Sequence, residues 1–320
     1  MNNNKTRTAV AVSFATLLLT GTVLAASVPR GIPTDVKPNT DHAFDKRPII
    51  GPNSVTFGAY DPHSDFSADP NSKIEHLFLP WEDVDLSSLS IADNYAQQRG
   101  RELFITVEPW SWAVDWRKTP DALIKGILAG TYDANMAAVC STAATLKSDV
   151  TIRWAQEMDA TDNQFTWSHW KPADYAAAYR RMVTVCREHN KSAKYMWSPK
   201  GEPSLAAFYP GNDVVDIIGL SVFGLQQYDK DKFGKERTFG ETFAPGYRLV
   251  QGFGKPVVVA ELGYEGDSSY VRNWAENAAK SYPEFPQLTA VVYFNDKEVY
   301  PWPRPYGLPN WRVVSNEVVN

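Results

Sequence analysis

The sequence predicts an α/β fold, a single (β/α)8 TIM barrel, and three observations carry that prediction. Eight short β-branched or aromatic runs recur between residues 55 and 294. Each run is almost continuously apolar, which implies burial on both faces, as in a parallel sheet. Between most of them lie stretches with apolar residues three and four apart, the period of a helix. Eight strands alternating with helices in about 270 residues suit one closed barrel better than an open sheet or a small sandwich.

The strand-like runs are 55–60, 76–81, 103–107, 150–155, 194–197, 215–220, 256–260 and 288–294. Helical patterns cover 133–146, 173–189, 241–252 and 268–280. Pro172 suits a helix start, and Asp174 and Ser268 suit a first turn or cap. No internal repeat, low-complexity tract or second-domain linker follows residue 50. In barrels of this kind the reacting groups sit where strands hand over to the loops that follow them. Those positions read Asp61, Trp81, Glu108, Glu157, Ser198, Phe223, Glu261 and Asn295.

The amino-terminal end is set apart from the barrel at 51–320. Lys5 and Arg7 precede an apolar run from Ala9 to Leu24, and Val23-Leu24-Ala25 offers small side chains for cleavage. This is the layout of a secretory signal peptide over residues 1–25. The competing reading is a membrane anchor, but the run falls short of the roughly 20 apolar residues a span needs. Export to the periplasm or the extracellular space is therefore expected, with no stable membrane insertion after cleavage. Residues 26–50, rich in Pro, Asp, Lys and Asn, read as a flexible lead-in.

Removing Lys5 and Arg7 with the leader takes the net charge from −5 to −7, and no basic block survives. That argues against a nucleic-acid or anionic-membrane partner. Aromatic residues are abundant, with 11 Trp, 15 Tyr and 15 Phe. Most belong to the core of a domain this size, yet Trp beside acidic loops also suits carbohydrate, because a pyranose ring packs flat on an indole. The only cysteines, Cys140 and Cys186, fall on predicted helices flanking neighbouring strands. A disulfide between them and two buried thiols are both open at this point.

Glu157 closes Arg153-Trp154-Ala155-Gln156-Glu157, and Glu261 closes Val257-Val258-Val259-Ala260-Glu261. Carboxylates ending the fourth and seventh strands face one barrel mouth. Retaining glycoside hydrolysis requires two such groups, one as acid/base and one as nucleophile. Period-2 alternation puts Arg153 on the same side as Glu157, beneath the mouth, where it would hold a carboxylate and lower its pKa. Glu108, in Val107-Glu108-Pro109-Trp110, is a third candidate that composition does not rank below the other two.

These residues resemble glycoside hydrolase family 26, a family of retaining barrel glycosidases. The resemblance rests on Arg153-x-x-Gln156-Glu157-Met158-Asp159 with Phe165-Thr166-Trp167 downstream, and on Trp197-Ser198-Pro199. It extends through Tyr209-Pro210-Gly211-Asn212-Asp213, the sixth-strand run, and Val259-Ala260-Glu261-Leu262-Gly263, over roughly residues 55–312. It implies that Glu157 is the general acid/base and Glu261 the nucleophile, with Glu108 a mouth residue or a structural acid. Three positions depart from the family pattern. Gln156 stands where the family usually has His, Asp159-Ala160 where it often has Asn-Gly, and Phe223 where a Tyr often ends the sixth strand.

Candidate sugar contacts are Arg153, Gln156, Glu108, Asp159, Phe223, Tyr264 and Asn295. The candidate platforms are Trp110, Trp112, Trp167 and Trp302, with Trp112 and Trp167 ranked first because they follow strand ends. The expected partner is a β-linked polysaccharide or oligosaccharide: mannan, β-1,3-1,4-glucan or a bacterial exopolysaccharide. The expected activity is retaining endo-hydrolysis by a monomer. A non-catalytic polysaccharide-binding barrel and a transglycosylase on the same scaffold stay open. No cofactor and no metal are expected. The five His are scattered, and the Asp61–Asp69 loop lacks EF-hand spacing. No glycine-rich phosphate loop follows a strand.

Overall fold

Side chains alternate along each strand, and in this chain the alternation sorts the interior into two layers. The computed structural model describes residues 45–314. Ile74, Phe104, Met196, Val258, Ala260, Ala290 and Val292 point inward and fill the barrel. Their odd-numbered neighbours, such as Leu103, Ile105, Trp197, Val257, Val259 and Val291, point outward and join a larger core beneath the helices. Both faces are therefore apolar, which explains the unbroken hydrophobic runs.

The strands are β1 (Thr56–Tyr60), β2 (Ser72–Pro80), β3 (Glu102–Glu108), β4 (Val150–Trp154), β5 (Lys194–Trp197), β6 (Ile217–Leu225), β7 (Val257–Glu265) and β8 (Leu288–Phe294). They close in sequence order into a parallel barrel, β1 pairing with β8. This is the (β/α)8 class expected. The helices are α1 (Ser88–Arg99), α2 (Pro120–Leu128), α3 (Asp133–Ala143), α4 (Pro172–His189), α5 (Gln226–Phe233), α6 (Phe239–Val250) and α7 (Ser268–Asn277). Among the described residues no α-helix follows β1, β5 or β8, and only a short 3-10 turn, Leu205–Phe208, lies between β5 and β6.

Local chemistry sets several boundaries. Pro172 opens α4, where the missing N–H costs nothing. Thr238 and Glu241 form a reciprocal capping box at α6. Asp267, rather than Ser268, caps α7 by accepting from the amides of Ser269 and Tyr270. α1, α2 and α5 escaped the periodicity reading. The first and last are polar around much of their circumference, so they carry little apolar stripe.

Cys140 of α3 and Cys186 of α4 are joined in a disulfide, with Cα atoms 5.2 Å apart. The expected signal peptide and most of the lead-in lie outside the described residues. The last of the lead-in, 45–50, is fastened to the barrel. Lys46 is buried, and its Nζ donates to the Asn310 carbonyl at 2.7 Å. The Lys46 carbonyl accepts from the Tyr264 hydroxyl, and the Ile49 amide donates to Ala275 at 2.8 Å. No helix among the described residues is long and apolar enough to cross a membrane.

Candidate active site

The mouth is built on a polar layer lying directly over the apolar barrel filling. Thr106 of β3, Arg153 of β4 and Ser198 after β5 are fully buried, and His76 of β2 is almost so. Arg153 ties them together. Its Nε donates to Ser198 Oγ at 2.8 Å, and one terminal nitrogen donates to Thr106 Oγ1 at 3.3 Å and to Glu261 Oε1 at 2.6 Å. His76 Nε2 meets Thr106 Oγ1 at 2.7 Å. Burial and the Arg153 charge hold His76 well below the usual imidazole range, so it stays neutral here.

Glu261 is not at the end of its strand. β7 runs on to Glu265, and its register against β8 shifts between Val259 and Leu262. Such an irregularity re-aims a side chain. It turns the Glu261 carboxylate onto Arg153, where it is 12% exposed. Arg153 lowers its pKa as expected, but burial raises it more, with Glu157 and then Glu108 adding to the rise. The net direction is upward, which corrects the expectation from Arg153 alone. Two carboxyl groups that feel each other in a buried site do not both ionise readily.

Glu157 reaches the same mouth by a different route from the one alternation suggests. β4 ends at Trp154, and Ala155 and Glu157 both take left-handed backbone, with φ of 48° and 55°. Non-glycine residues rarely adopt this region, and it costs about 1–3 kcal/mol each. The strain is held by the Glu157 amide donating to Ser198 O at 2.7 Å and by Tyr175 donating to the Ala155 carbonyl at 3.3 Å. The Ser221 hydroxyl of β6 donates to Glu157 Oε1. Ser221 itself pairs with Glu261 across the β6–β7 ladder.

Glu108 is an organiser. Its Oε1 accepts from Gln156 Nε2 at 3.0 Å, and its Oε2 accepts from Trp110 Nε1 at 2.9 Å and Trp112 Nε1 at 2.7 Å. Gln156 thus uses its amide to hold Glu108, where a histidine would be able to carry a proton. Trp112, 37% exposed, is a presented indole. Trp110 is largely buried beneath Arg117, whose guanidinium carbon lies 3.5 Å from the ring centroid.

Several expected sugar contacts are engaged elsewhere. Trp167 is fully buried, stacked on Phe165 at 4.8 Å and donating to the Gln156 carbonyl at 2.6 Å. It supports the Glu157 loop and is no platform. Asp159 accepts from the amides of Lys200, Gly201 and Glu202, bracing the loop after β5. Tyr264 lies in the outer core, packed on Trp274 at 5.5 Å. Asn295 is buried and bonds Asp61, Asp65 and the Val313 amide, joining both ends of the described chain. The Asp61 loop is likewise self-satisfied, with Asp61 accepting from the amides of Asp65 and Phe66.

Phe223 and Trp302 do line the opening side by side, both half-buried. Their ring centroids are 6.5 Å apart, and Phe223 also packs on Trp311 at 5.0 Å. Sequence reasoning missed Ser221, although it sits two residues before Phe223 and so shares its face. It also missed Glu298, in a loop after β8 where no periodicity speaks. Glu298 accepts from Trp311 Nε1 at 3.0 Å, and burial with the Glu261 and Glu157 charges lifts it to about 7. Among the described residues no cluster of three His, Cys, Asp or Glu is arranged to hold a metal ion.

A closed parallel barrel with facing glutamates over its fourth and seventh strands is the architecture of a barrel glycosidase. Residues 112–241 match the model of glycosyl hydrolase family 26, a segment that contains Glu157 and stops before Glu261. The resemblance read from the motifs therefore holds, and the class it describes is glycoside hydrolase. A β-1,3-xylanase of an Alcaligenes species is 28% identical over 116 residues, 34% of this chain and 24% of that protein. Endoglucanase H of Acetivibrio thermocellus is 22% identical over 243 residues, 72% of this chain and 25% of that protein. The chain thus spans about a quarter of the length of these curated relatives. The solved structure of a family 26 β-mannanase from Bacteroides ovatus superposes with a TM-score of 0.56 at 18% identity, covering 76% of this chain and 81% of that one.

Proposed function

We propose that this protein is an exported retaining endo-β-glycanase that cleaves β-linked polysaccharide by double displacement. The observation that carries the reading is the placement of Glu157 and Glu261 in one mouth, on either side of Ser221, with Arg153 fixed on only one of them. A retaining glycosidase needs one carboxyl ionised and one protonated. Of the two, only Glu261 has a cation bonded to it, and that contact favours its charged form against the burial that raises it, so Glu261 is assigned the ionised role. Glu261 Oε1 accepts from Arg153, which leaves Oε2 to attack the anomeric carbon.

Glu157 gives its proton to the leaving oxygen as the glycosidic bond breaks and the ester to Glu261 forms. It then takes a proton from water, whose oxygen displaces Glu261 and restores the configuration. Trp112 and the Phe223–Trp302 pair flank the mouth as flat apolar surfaces for sugar rings. The named relatives act on different β-linked polymers by their own descriptions (xylan, glucan and mannan), so the family does not select one sugar. The Cys140–Cys186 disulfide supports residence in an oxidising compartment and hence export.

The test is incubation with β-mannan, β-glucans, β-xylans and bacterial exopolysaccharides, reading reducing ends and the anomeric configuration of the first product. Cleavage with retention is expected on one polymer. Glu157→Gln and Glu261→Gln should each lower turnover on it by roughly 10²–10⁴-fold or more while the folded circular dichroism spectrum is kept. Inversion of configuration, or near-normal turnover by either variant, would overturn the proposal.

A further inference from the structure

Ser221 sits at the meeting point of both glutamates. It is half-buried on β6, pairs in register with Glu261, and donates its hydroxyl to Oε1 of Glu157. The β6–β7 register shifts between Leu220 and Ser221, so this position is specially aimed rather than a continuation of the ladder. Directly below, Gly219 has no room for a side chain. A Cβ there would stand 2.7 Å from Ser198 Oγ and 3.0 Å from the Ala260 methyl. The missing side chain lets Ser198 hold Arg153, and Ser221 is left as the next inward group above it.

A carboxylic acid carries its proton on one oxygen, and a donor fixed on one oxygen decides which. We propose that Ser221 is a positioning residue that assigns the proton of the acid/base to Oε2 of Glu157. This rests on the hydrolase reading above and deepens it. The hydroxyl hydrogen occupies Oε1, so a proton held by Glu157 resides on Oε2, the oxygen offered to the leaving group. In the first step the Oε2–H bond breaks, the proton passes to the glycosidic oxygen, the C1–O bond breaks, and C1 bonds to Oε2 of Glu261. In the second step Oε2 of Glu157 takes a proton from water, and the water oxygen replaces the Glu261 ester oxygen at C1. Ser221 keeps its own proton throughout.

The arrangement has a counterpart across the mouth. Arg153 occupies Oε1 of Glu261 while Ser221 occupies Oε1 of Glu157. Each reacting carboxyl therefore has one oxygen tethered to the barrel and one left for chemistry. The two tethers come from neighbouring inward layers of the sheet, so the sheet geometry sets the aim of both groups. Pre-aimed groups of this kind act by orientation, and small losses of aim have large effects on rate.

The experiment compares kcat/KM of wild type, Ser221→Ala and Ser221→Thr on two substrates of the sugar that the wild type cleaves. One is the polymer, whose leaving oxygen needs a proton. The other is its 2,4-dinitrophenyl β-glycoside, whose leaving group departs without one. Ser221→Ala should lose roughly 10–100-fold on the polymer and under about threefold on the aryl glycoside. Ser221→Thr, which keeps a hydroxyl, should recover most of the polymer rate. An equal loss on both substrates, or no loss on either, would overturn the inference while leaving the hydrolase reading intact. A folded wild type that cleaves neither substrate overturns the hydrolase reading, and the inference with it.

Discussion

A glutamate in this mouth takes its character from the two or three atoms nearest to it. Glu108 is held by three N–H donors and serves as a strut between Gln156 and two indoles. Glu261 is held by a cation and Glu157 by a hydroxyl. Glu298 is held by the indoles of Trp311 and Trp302 and keeps its proton to about 7 because burial, with the Glu261 and Glu157 charges, outweighs those bonds. The sign of its effect on stability follows. The folded state retains a proton that the unfolded chain loses near pH 4.5, so this group makes folding less favourable as pH rises through 4.5 to 7. Glu298→Gln removes that loss. Its Tm should exceed that of wild type at pH 8, and the gap should shrink towards nothing by pH 4. A gap that is the same at both pH values would refute the assignment.

Elements contribute by fixing where those atoms sit. α3 and α4 pack side by side outside β4, and the Cys140–Cys186 bond crosses between them over a sequence separation of 46 residues. Closing a loop of that size in the unfolded chain is worth about 4 kcal/mol by chain entropy, with measured disulfides spanning 2–5 kcal/mol. The Cys140→Ala/Cys186→Ala double variant should lose stability in that range in denaturant titration. A reductant acting on wild type should reproduce most of the loss, and an unchanged midpoint in reductant would refute the role. The strained turn after β4 is steadied from the same pair, since Tyr175 of α4 donates to the Ala155 carbonyl. Loosening α4 is thus expected to reach Glu157 as well as the fold.

At the scale of the whole molecule, the described chain closes on itself where its two ends meet. Lys46 bonds Asn310 and Val313, Tyr264 bonds the Lys46 carbonyl, and Asn295 joins the Asp61 loop to Val313. Removing residues through 50 should therefore cost a few kcal/mol relative to removing residues through 44, at about 1 kcal/mol per lost hydrogen bond. Comparing urea midpoints of the two shortened chains checks this, and equal midpoints would show that the 45–50 segment adds nothing.

The barrel and the three strand-end carboxylates Glu108, Glu157 and Glu261 were legible in the sequence because they follow from short-range pattern. Two-sided burial makes every strand apolar, and a carboxylate ending an apolar run stands out against it. The ranking of platforms was not legible. Trp112 and Trp167 look alike in sequence, each following a strand end, yet Trp112 is presented and Trp167 is sealed beneath Phe165 and Trp110. Tyr264, Asn295 and Asp159 read as mouth residues and became structural, because their partners Lys46, Asp61 and Lys200 lie far away in the chain. By itself the sequence determined the architecture and three carboxylates at its strand ends, Glu108, Glu157 and Glu261, since hydrophobic period and residue type are local properties; the family resemblance singled out the last two. Only the tertiary structure decided which oxygen of each is tethered. That choice rests on a left-handed turn at 155–157, register shifts in β6 and β7, and contacts such as Arg153–Glu261, 108 residues apart, which no local pattern encodes.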